Sequence, residues 1–305
     1  MPIDKKSLVI GSRGSALARW QSTWVKTRLE EFWPALEVGV EIFTTSGDRI
    51  LDKPLPEIGG KGLFTEELER ALLEGSIDIA VHSLKDLPVE NPAGLVVGAI
   101  PERADARDVF ISSRYTTLAE LPRGARVGTS SLRRGAQLLM LRPDLVLLPL
   151  RGNVDTRIGK AMAGDYEAIV LAAAGVTRLG RSDDISSFLE YSHMLPAPGQ
   201  GALGIQCREG DASTLSLLAA LDHPPTRAAV LAERAFLLGL GGGCSAPVAT
   251  LAKIGAGGSI VIEGLVASPD GKTSVRVAGS GAEPLALGRR MAEEALAKGA
   301  KAILG

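Results

Sequence analysis

The chain of 305 residues is poor in several residue types, and each scarcity narrows what it can be. Two cysteines and three histidines are too few for a disulfide scaffold, and none has partners at metal-ligand spacing. The longest clean apolar stretches, Leu145–Leu150 and Ile169–Ala174, are far too short to span a bilayer. The formal net charge of −1 argues against non-specific nucleic-acid binding. We therefore expect no metal, no membrane association and no nucleic-acid partner.

The amino terminus carries no apolar segment of the kind that targeting requires. Met1–Lys6 leads directly into the strand-like Leu8–Ile10, which leaves no room for a signal or transit peptide. The sequence therefore predicts a cytoplasmic protein. In that reducing compartment Cys207 and Cys244 are expected as two free thiols.

Glycine and arginine are the residue types the chain has in quantity. The 36 glycines and the aromatic content of only 4% suit an α/β protein with many tight turns between strands and helices. Arginine outnumbers lysine about two to one. Because arginine makes planar, bidentate contacts with carboxylates, this excess indicates an acidic small ligand, although an arginine-rich genome produces the same bias.

The first two thirds of the chain alternate short apolar strands with amphipathic helices, which predicts α/β units with a mainly parallel sheet. The first half predicts strands at Leu8–Ile10, Val38–Thr44 and Ile77–Val81, with helices at Ala16–Phe32 and Thr65–Glu74. The second half predicts strands at Arg126–Gly128, Leu145–Leu150 and Ala168–Leu171, with helices at Leu132–Leu141, Val154–Ala163 and Ala172–Leu179. Both halves open with a strand, a Gly/Ser/Thr turn, an arginine and a helix, which indicates a duplicated domain pair with a cleft.

The segments near Pro101–Asp108 and Leu195–Gly201 are expected to cross between the halves and to form a hinge suited to closure on a ligand. After Pro224-Pro225 the pattern changes to a small α+β domain with an antiparallel sheet. The predicted domains are 1–101 with 199–221, then 102–198, and finally 222–305. The predicted elements of the last domain are helices at Arg227–Leu238 and Leu285–Lys298 and strands at Val248–Ile254, Ser259–Ala267 and Thr273–Ala278.

Six arginines follow the predicted carboxyl ends of strands, the edge where open α/β sheets bind ligands and where helix N-termini favour anions. For any one of them an ordinary surface ion pair is an equally good explanation. It is a poor one for all six, because glycine and serine rather than acidic residues surround Arg13, Arg133 and Arg151. The six are Arg13, Arg133, Arg134, Arg151, Arg157 and Arg178.

Three further residues invite a chemical interpretation. Asp86, at a strand terminus, could stabilise positive charge or shuttle a proton, but from the residues alone an aspartate that caps the next turn is favoured. Cys244 follows three glycines on a loop that a bulky group could reach, with burial as the alternative. Cys207 is expected to be a buried, inert strand residue.

Six segments, in order and spread over nearly the whole chain, resemble the porphobilinogen deaminase family. They are Gly59-Gly60-Lys61-Gly62-Leu63-Phe64, Ala80-Val81-His82-Ser83-Leu84-Lys85-Asp86, Val127-Gly128-Thr129-Ser130-Ser131-Leu132-Arg133-Arg134, Leu150-Arg151-Gly152-Asn153-Val154, Pro198-Gly199-Gln200-Gly201 and Gly242-Gly243-Cys244.

The resemblance implies a monomeric transferase with two α/β domains similar to periplasmic binding proteins and a small third domain. It implies a dipyrromethane cofactor in thioether linkage to Cys244. Four porphobilinogen molecules would be deaminated and joined head to tail to that primer, and water would release hydroxymethylbilane. Tetrapyrrole chains carry an acetate and a propionate on each ring, so many arginines are an expected host.

The resemblance also implies individual roles, with Asp86 as the catalytic residue that stabilises positive charge when ammonia leaves. Its cofactor-binding residues would be Cys244, Lys85, Asp86, Ser83, Thr129, Ser130, Ser131, Arg133, Arg134, Arg151 and Gly152. Its substrate-binding residues would be Arg13, Ser15, Lys61, Arg157, Arg178 and Gln200.

Two other classes of function are compatible with parts of the pattern. A two-lobed binding protein for a polycarboxylate small molecule would use the duplicated halves and the arginines. An anion-sensing regulatory domain would use the same features. Both leave Asp86 and Cys244 without a role.

Overall fold

A computed structural model describes residues 5–45, 65–241 and 247–305. Within these ranges the strands form three sheets. The chain divides into two compact units, Met1–Arg103 with Ala202–Arg227 and Ala104–Gly201 with Ala228–Gly305. Lys61 and Cys244 lie outside the described residues, as does the whole segment Gly59–Phe64 that resembles the family.

The first unit is built on a five-stranded sheet of order β2-β1-β3-β10-β4. Strand β1 is parallel to β2 and β3, whereas β10 runs antiparallel to β3 and β4. The strands are β1 (Ser7–Arg13), β2 (Glu37–Phe43), β3 (Ile79–Ser83), β4 (Leu95–Ala99) and β10 (Leu203–Arg208), and the helices are α1 (Ala16–Phe32), α2 (Glu66–Glu74) and α6 (Ala212–Leu218).

Helix α1 shows why these residues form the element that follows β1. Ser15 at its N-cap accepts a hydrogen bond from the amide of Ala18. Its buried residues, among them Val25 and Leu29, recur at helical spacing and pack in the core with Leu8 and Ile10 of β1. The helix ends at Phe32, two residues before Pro34.

The second unit contains a sheet with the same arrangement of directions, of order β7-β6-β8-β5-β9. Strand β6 is parallel to β7 and β8, whereas β5 is antiparallel to β8 and β9. Its strands are β5 (Asp108–Ile111), β6 (Arg126–Gly128), β7 (Val146–Leu148), β8 (Ala168–Ala172) and β9 (Ser187–Leu189), and its helices are α3 (Leu132–Leu141), α4 (Val154–Met162) and α5 (Ala173–Arg178).

The carboxyl-terminal part of the second unit forms an antiparallel sheet of order β11-β12-β13. The turn between β12 and β13 contains Gly271 at φ +71°, and a Cβ there would lie 2.7 Å from the amide nitrogen of Met140 in α3. The hairpin therefore packs against the backbone of α3. The elements from Pro224 onward are α7 (Pro224–Gly239), whose first turn belongs to the first unit, and then β11 (Val248–Ile254), β12 (Ile260–Ala267), β13 (Ser274–Gly281), α8 (Pro284–Ala295) and α9 (Lys301–Leu304).

The predicted fold class, α/β with a carboxyl-terminal antiparallel sheet, is confirmed. The expectation of mainly parallel sheets is wrong in one respect, because β10 and β5 reverse direction in their sheets. Pro224 and Pro225 open helix α7, where a missing N–H costs little. Strands β4, β5 and β9 and helices α6 and α9 were not predicted, and the three-domain boundaries stay a prediction. Across residues 5–45, 65–241 and 247–305, no helix combines the length and apolar character needed to cross a membrane.

Candidate functional site

One group of predicted site residues meets at the carboxyl edge of the sheet in the first unit. Strands β1 and β3 are parallel neighbours, so their last residues, Arg13 and Ser83, lie at the same edge. Ser15 follows at the N-cap of α1. Lys85 and Asp86 lie in a single 3-10 turn that continues from β3. The topology therefore brings together two short segments, 13–15 and 83–86, that lie far apart in the sequence.

The two serines of this group each accept a side-chain or backbone hydrogen bond. The Ser15 Oγ accepts from the Ala18 amide at 3.3 Å, and the Ser83 Oγ accepts from Gln21 Nε2 at 2.8 Å. The carboxylate of Asp86 is exposed, and the described residues give it no hydrogen bond or ion pair. The residues alone favour Asp86 as a cap of the next turn. In the described part of the chain Asp86 makes no such capping hydrogen bond.

His82 lies directly before Ser83 and is almost fully buried. Its Nε2 lies 3.2 Å from Oε1 of Gln206, and Gln206 Nε2 donates to Oε1 of Glu69 at 3.3 Å. Burial, together with the positive charge of Arg13, lowers the pKa of His82 to about 4. The imidazole is therefore neutral at pH 7, so His82 adds no second positive charge next to Arg13.

A second group meets at the carboxyl edge of the sheet in the second unit, in the turn after β6. The Thr129 Oγ1 accepts from the Ser131 amide at 3.2 Å, and the Ser131 Oγ caps α3 by accepting from the Arg134 amide at 3.4 Å. Ser130 donates to the carbonyl of Leu150 and accepts from its amide, both at 3.0 Å. These bonds tie the turn to the segment after β7, where Arg151 and Gly152 follow.

The two adjacent arginines of α3 share one buried carboxylate. Arg133 Nη1 donates to Oδ2 of Asp108 at 2.6 Å, and Arg134 donates to Oδ1 from Nε at 3.0 Å and from Nη2 at 2.8 Å. The side chains of Arg133 and Arg134 are 5% and 8% exposed, and Asp108 is 0% exposed. Burial alone would raise the pKa of Asp108, but the charges and hydrogen bonds of both arginines outweigh it and lower that pKa.

The expectation that Arg133 has no acidic partner is wrong, and its neighbour Arg134 shares the same partner. Their partner, Asp108, opens β5, and this strand lies beside β8 on the side away from β6. The aspartate is 25 residues before Arg133 in the chain, so no local spacing could have found it. The only available signal was the position of Asp108 inside a predicted crossing segment.

Gln200, predicted as a substrate contact, is fully buried in the same network. Its Nε2 donates to Oδ1 of Asp108 at 2.9 Å and to the Ala106 carbonyl at 2.8 Å. Its Oε1 accepts from Arg133 Nη2 at 3.3 Å. In this structure Gln200 therefore braces the carboxylate and one of the arginines, and its contact with substrate stays a prediction.

The remaining predicted residues follow β7 and β8. Gly152 has φ +109°, and a Cβ would lie 2.8 Å from Cγ2 of Thr156, so only glycine fits here. Its carbonyl accepts from Arg157 Nε at 2.7 Å. Arg178 ends α5, and its Nη2 donates to the Gly201 carbonyl at 2.8 Å. Burial lowers the pKa of Arg178 to about 10, which still leaves it charged at neutral pH.

Cys207 is the cysteine that lies within the described part of the chain. Cys207 lies in β10 and is fully buried, as predicted, and burial raises the pKa of its thiol to about 11. It is therefore a poor nucleophile. Cys244 falls outside the described residues, and its role stays a prediction. In the described ranges no three His, Cys, Asp or Glu side chains are grouped to hold a metal ion.

Both edges have the same chemical character. Each combines serine hydroxyls, at least one arginine and the amino-terminal end of a helix. Hydroxyls, amides and guanidiniums are donors, and donors grouped in this way bind carboxylates. The exposed carboxylate of Asp86 adds an acceptor to the first edge.

Comparison with known proteins covers almost the whole chain. The family model described as "Porphobilinogen deaminase, dipyromethane cofactor binding domain" matches residues 8–216, and "Porphobilinogen deaminase, C-terminal domain" matches residues 227–297. The porphobilinogen deaminase of Brevibacillus brevis is 50% identical over 97% of this chain and 96% of that protein. That of Moorella thermoacetica is 52% identical over 97% of this chain and 95% of its own length.

Solved structures give a looser likeness. A putative methionine-binding lipoprotein of Bacillus subtilis has a TM-score of 0.44 at 14% identity, with coverage of 72% of this chain and 92% of that one. A periplasmic substrate-binding protein from Coxiella burnetii has a TM-score of 0.45 at 17% identity, with coverage of 72% and 94%. The close sequence matches, which run through both family models, show that the chain belongs to the porphobilinogen deaminase family.

Proposed function

We propose that this chain condenses four porphobilinogen molecules head to tail on a covalently held dipyrromethane, with loss of ammonia and a final hydrolysis to hydroxymethylbilane. It is a transferase of tetrapyrrole biosynthesis. The observation that carries the proposal is the match to the family over nearly its full length, which includes the cofactor-binding domain. The donor-rich edges of the two sheets agree with a ligand that gains carboxylates as it grows.

The described residues fit a dipyrromethane by the chemistry of their donors. Each ring of such a group carries two carboxylates, and the turn Thr129–Ser131 offers hydroxyls and the first amides of α3 beside Arg134. The resemblance to the family adds Lys85 and Ser83 to the proposed contacts of the group. Cys244 would hold the group through a thioether. When bound, the group supplies the pyrrole end to which substrate is added.

The residues of this chain then divide the work. The arginines and the serine hydroxyls bind and orient acetate and propionate groups of substrate, with Arg13, Ser15, Lys61, Arg157 and Arg178 in the substrate set. Asp86 accepts hydrogen bonds from pyrrole N–H groups and stabilises positive charge that develops on the substrate as ammonia leaves. Its exposure and its lack of a competing partner among the described residues support this role.

The attachment site can be tested by intact-protein mass spectrometry. We expect the purified protein to exceed the mass of its sequence by one dipyrromethane, and Cys244→Ser to abolish the excess. Cys207→Ser is the matched control, because this thiol is buried in β10 and should leave the excess unchanged. A wild-type mass equal to the bare chain, in protein that still polymerises porphobilinogen, would contradict the attachment.

The role of Asp86 can be tested by ammonia release. Asp86→Asn should keep the attached group and nearly stop the release of ammonia from porphobilinogen. Asp183→Asn is the matched control, since Asp183 is also an exposed aspartate in a three-residue 3-10 turn. Full turnover by Asp86→Asn would remove this residue from the mechanism.

We also propose that the enzyme acts as a monomer in the cytoplasm, without a nucleic-acid partner. The net charge of −1 supports the last point. Light scattering of the loaded enzyme across a range of protein concentrations tests the oligomeric state, and a mass of two chains would contradict it.

A further inference from the structure

Asp108 forms a charged network with Arg133, Arg134 and Gln200, and the proposed reaction gives Asp108 itself no role. A guanidinium has five N–H donors. Arg133 uses three of them, both on Nη1 to Asp108 and the Leu195 carbonyl, and one on Nη2 to Gln200. Arg133 is therefore committed largely to the interior of the unit.

Arg134 is held in a different way. Its Nε and Nη2 both donate to the same oxygen of Asp108, at 3.0 and 2.8 Å, so the aspartate takes the inner side of the guanidinium. In the part of the chain that the structure describes, neither N–H of its Nη1 has an acceptor. The outer edge, formed by Nη1 and Nη2, has the geometry that binds a carboxylate through two parallel hydrogen bonds.

The backbone of Arg134 is fixed as well. Its amide donates to the Ser131 Oγ at 3.4 Å, at the same turn that carries Thr129 and Ser130. Gln200 in turn fixes Asp108 from the other side, at 2.9 Å. Both the main chain and the side chain of Arg134 are thus held before any ligand arrives.

The charges add to the same conclusion. Two buried guanidiniums next to one carboxylate leave one net positive charge in a site from which water is nearly excluded. A buried charge without compensation is costly, and a bound carboxylate would neutralise it.

We propose that Asp108 is a positioning residue that holds Arg134 from its inner side, so that the outer edge of Arg134 receives a carboxylate of the bound pyrrole chain. This inference rests on the proposed function. It assigns Asp108 and Gln200 to the support of the carboxylate receptor and not to contact with substrate.

Asp108→Asn tests the proposal, because the amide keeps the size of the side chain but loses the negative charge and replaces one of the two oxygens, each of which binds a different arginine, with an NH2 group that cannot accept. We expect the fraction of folded protein that carries the attached group, measured by intact mass, to fall at least about tenfold. Circular dichroism and a thermal melt establish the folded fraction. Folded Asp108→Asn that carries the group as fully as the wild type would overturn the proposal.

Asp78→Asn is the matched control. Asp78 also bridges two cations, Lys5 at 2.7 Å and Arg208 at 3.0 Å, but it lies at the opposite, amino-terminal side of β3 in the first unit. It should lower the melting temperature and leave the attached group in place. An equal loss of the group in both variants would reduce the role of Asp108 to stability and overturn the proposal.

If Asp108→Asn does not fold, Asp108→Glu decides. It keeps the negative charge next to both arginines but moves it by one methylene, so a positioning role predicts folded protein with a loaded fraction lower by about threefold or more. Folded Asp108→Glu with wild-type loading would overturn the proposal. Wild-type protein that neither carries the group nor deaminates porphobilinogen would instead contradict the proposed function.

Discussion

The two α/β units solve the same electrostatic problem in opposite ways. At the ligand edge of the first unit, the buried titratable group is His82, and burial next to Arg13 keeps it uncharged. At the corresponding edge of the second unit, Asp108 stays ionised in a fully buried position because Arg133 and Arg134 pair with it. The first edge avoids a buried charge, whereas the second edge balances buried charges against each other. Because each charge at the second edge depends on its partner, that edge is the more rigid and the more vulnerable to substitution.

The largest effect is expected when the compensation is removed. Asp108→Ala leaves two buried guanidiniums without a counter-charge, and the free energy of unfolding should fall by about 3–5 kcal/mol. Urea unfolding at pH 7 measures it. Asp78→Ala also removes a carboxylate that pairs with two cations, but its side chain is 18% exposed, so water replaces part of what is lost and the fall should be clearly smaller. Equal losses of unfolding free energy in the two variants would contradict the idea that a fully buried charge pair matters more than a partly exposed one.

The first edge predicts a pH dependence in a separate window. The unfolded chain binds a proton at His82 below its ordinary pKa of 6.5, whereas the folded protein binds it only near pH 4. Stability is therefore fully present above about pH 6.5 and falls as the pH drops towards 4, by up to about 3 kcal/mol. The lowered pKa of Asp108 acts in the same direction, but only below its ordinary value of 3.8.

His82→Gln removes the titrating group of the first edge and should flatten the dependence between pH 6.5 and 4.5. Urea midpoints of the wild type and the variant, measured across this range, provide the comparison. Parallel pH profiles would show that His82 is not the group responsible.

Features of the fold and the site that depend on neighbouring residues could be predicted from the sequence. Helices α1 and α3 were predicted with the bounds the structure has, because a serine cap and apolar spacing lie within a single stretch of chain. The serines and arginines were placed at the strand ends by the same local reasoning. Cys207 was recognised as buried from its apolar neighbours.

Features that depend on a distant partner were not predicted. The short strands β5 and β9 pair with each other, and β5 also pairs with β8, which is distant from it in the sequence. The alternation of strands and helices does not give the direction in which β5 or β10 runs in its sheet. The pairing of Asp108 with Arg133 and Arg134 and that of His82 with Gln206 both follow from these strands. The family resemblance supplied the chemistry of Asp86 and Cys244, which spacing alone left open.

The smallest expected effect tests what the two edges share. Ser15 caps α1 and Ser131 caps α3, each through one hydrogen bond from an amide three residues later. Replacement of either by alanine should cost about 1 kcal/mol, whereas replacement by glycine should cost only a few tenths, because glycine is tolerated at an N-cap. Urea unfolding of the four variants measures these costs. A glycine cost as large as the alanine cost would mean that the hydroxyl acts through something other than capping.

The Ser131 cap also fixes the amide of Arg134. Ser131→Ala should therefore lower, in addition, the fraction of protein that carries the attached group. Since the two serines cap their helices in the same way, the loss of attached group in Ser131→Ala beyond that in Ser15→Ala measures how much the second edge contributes to holding the cofactor.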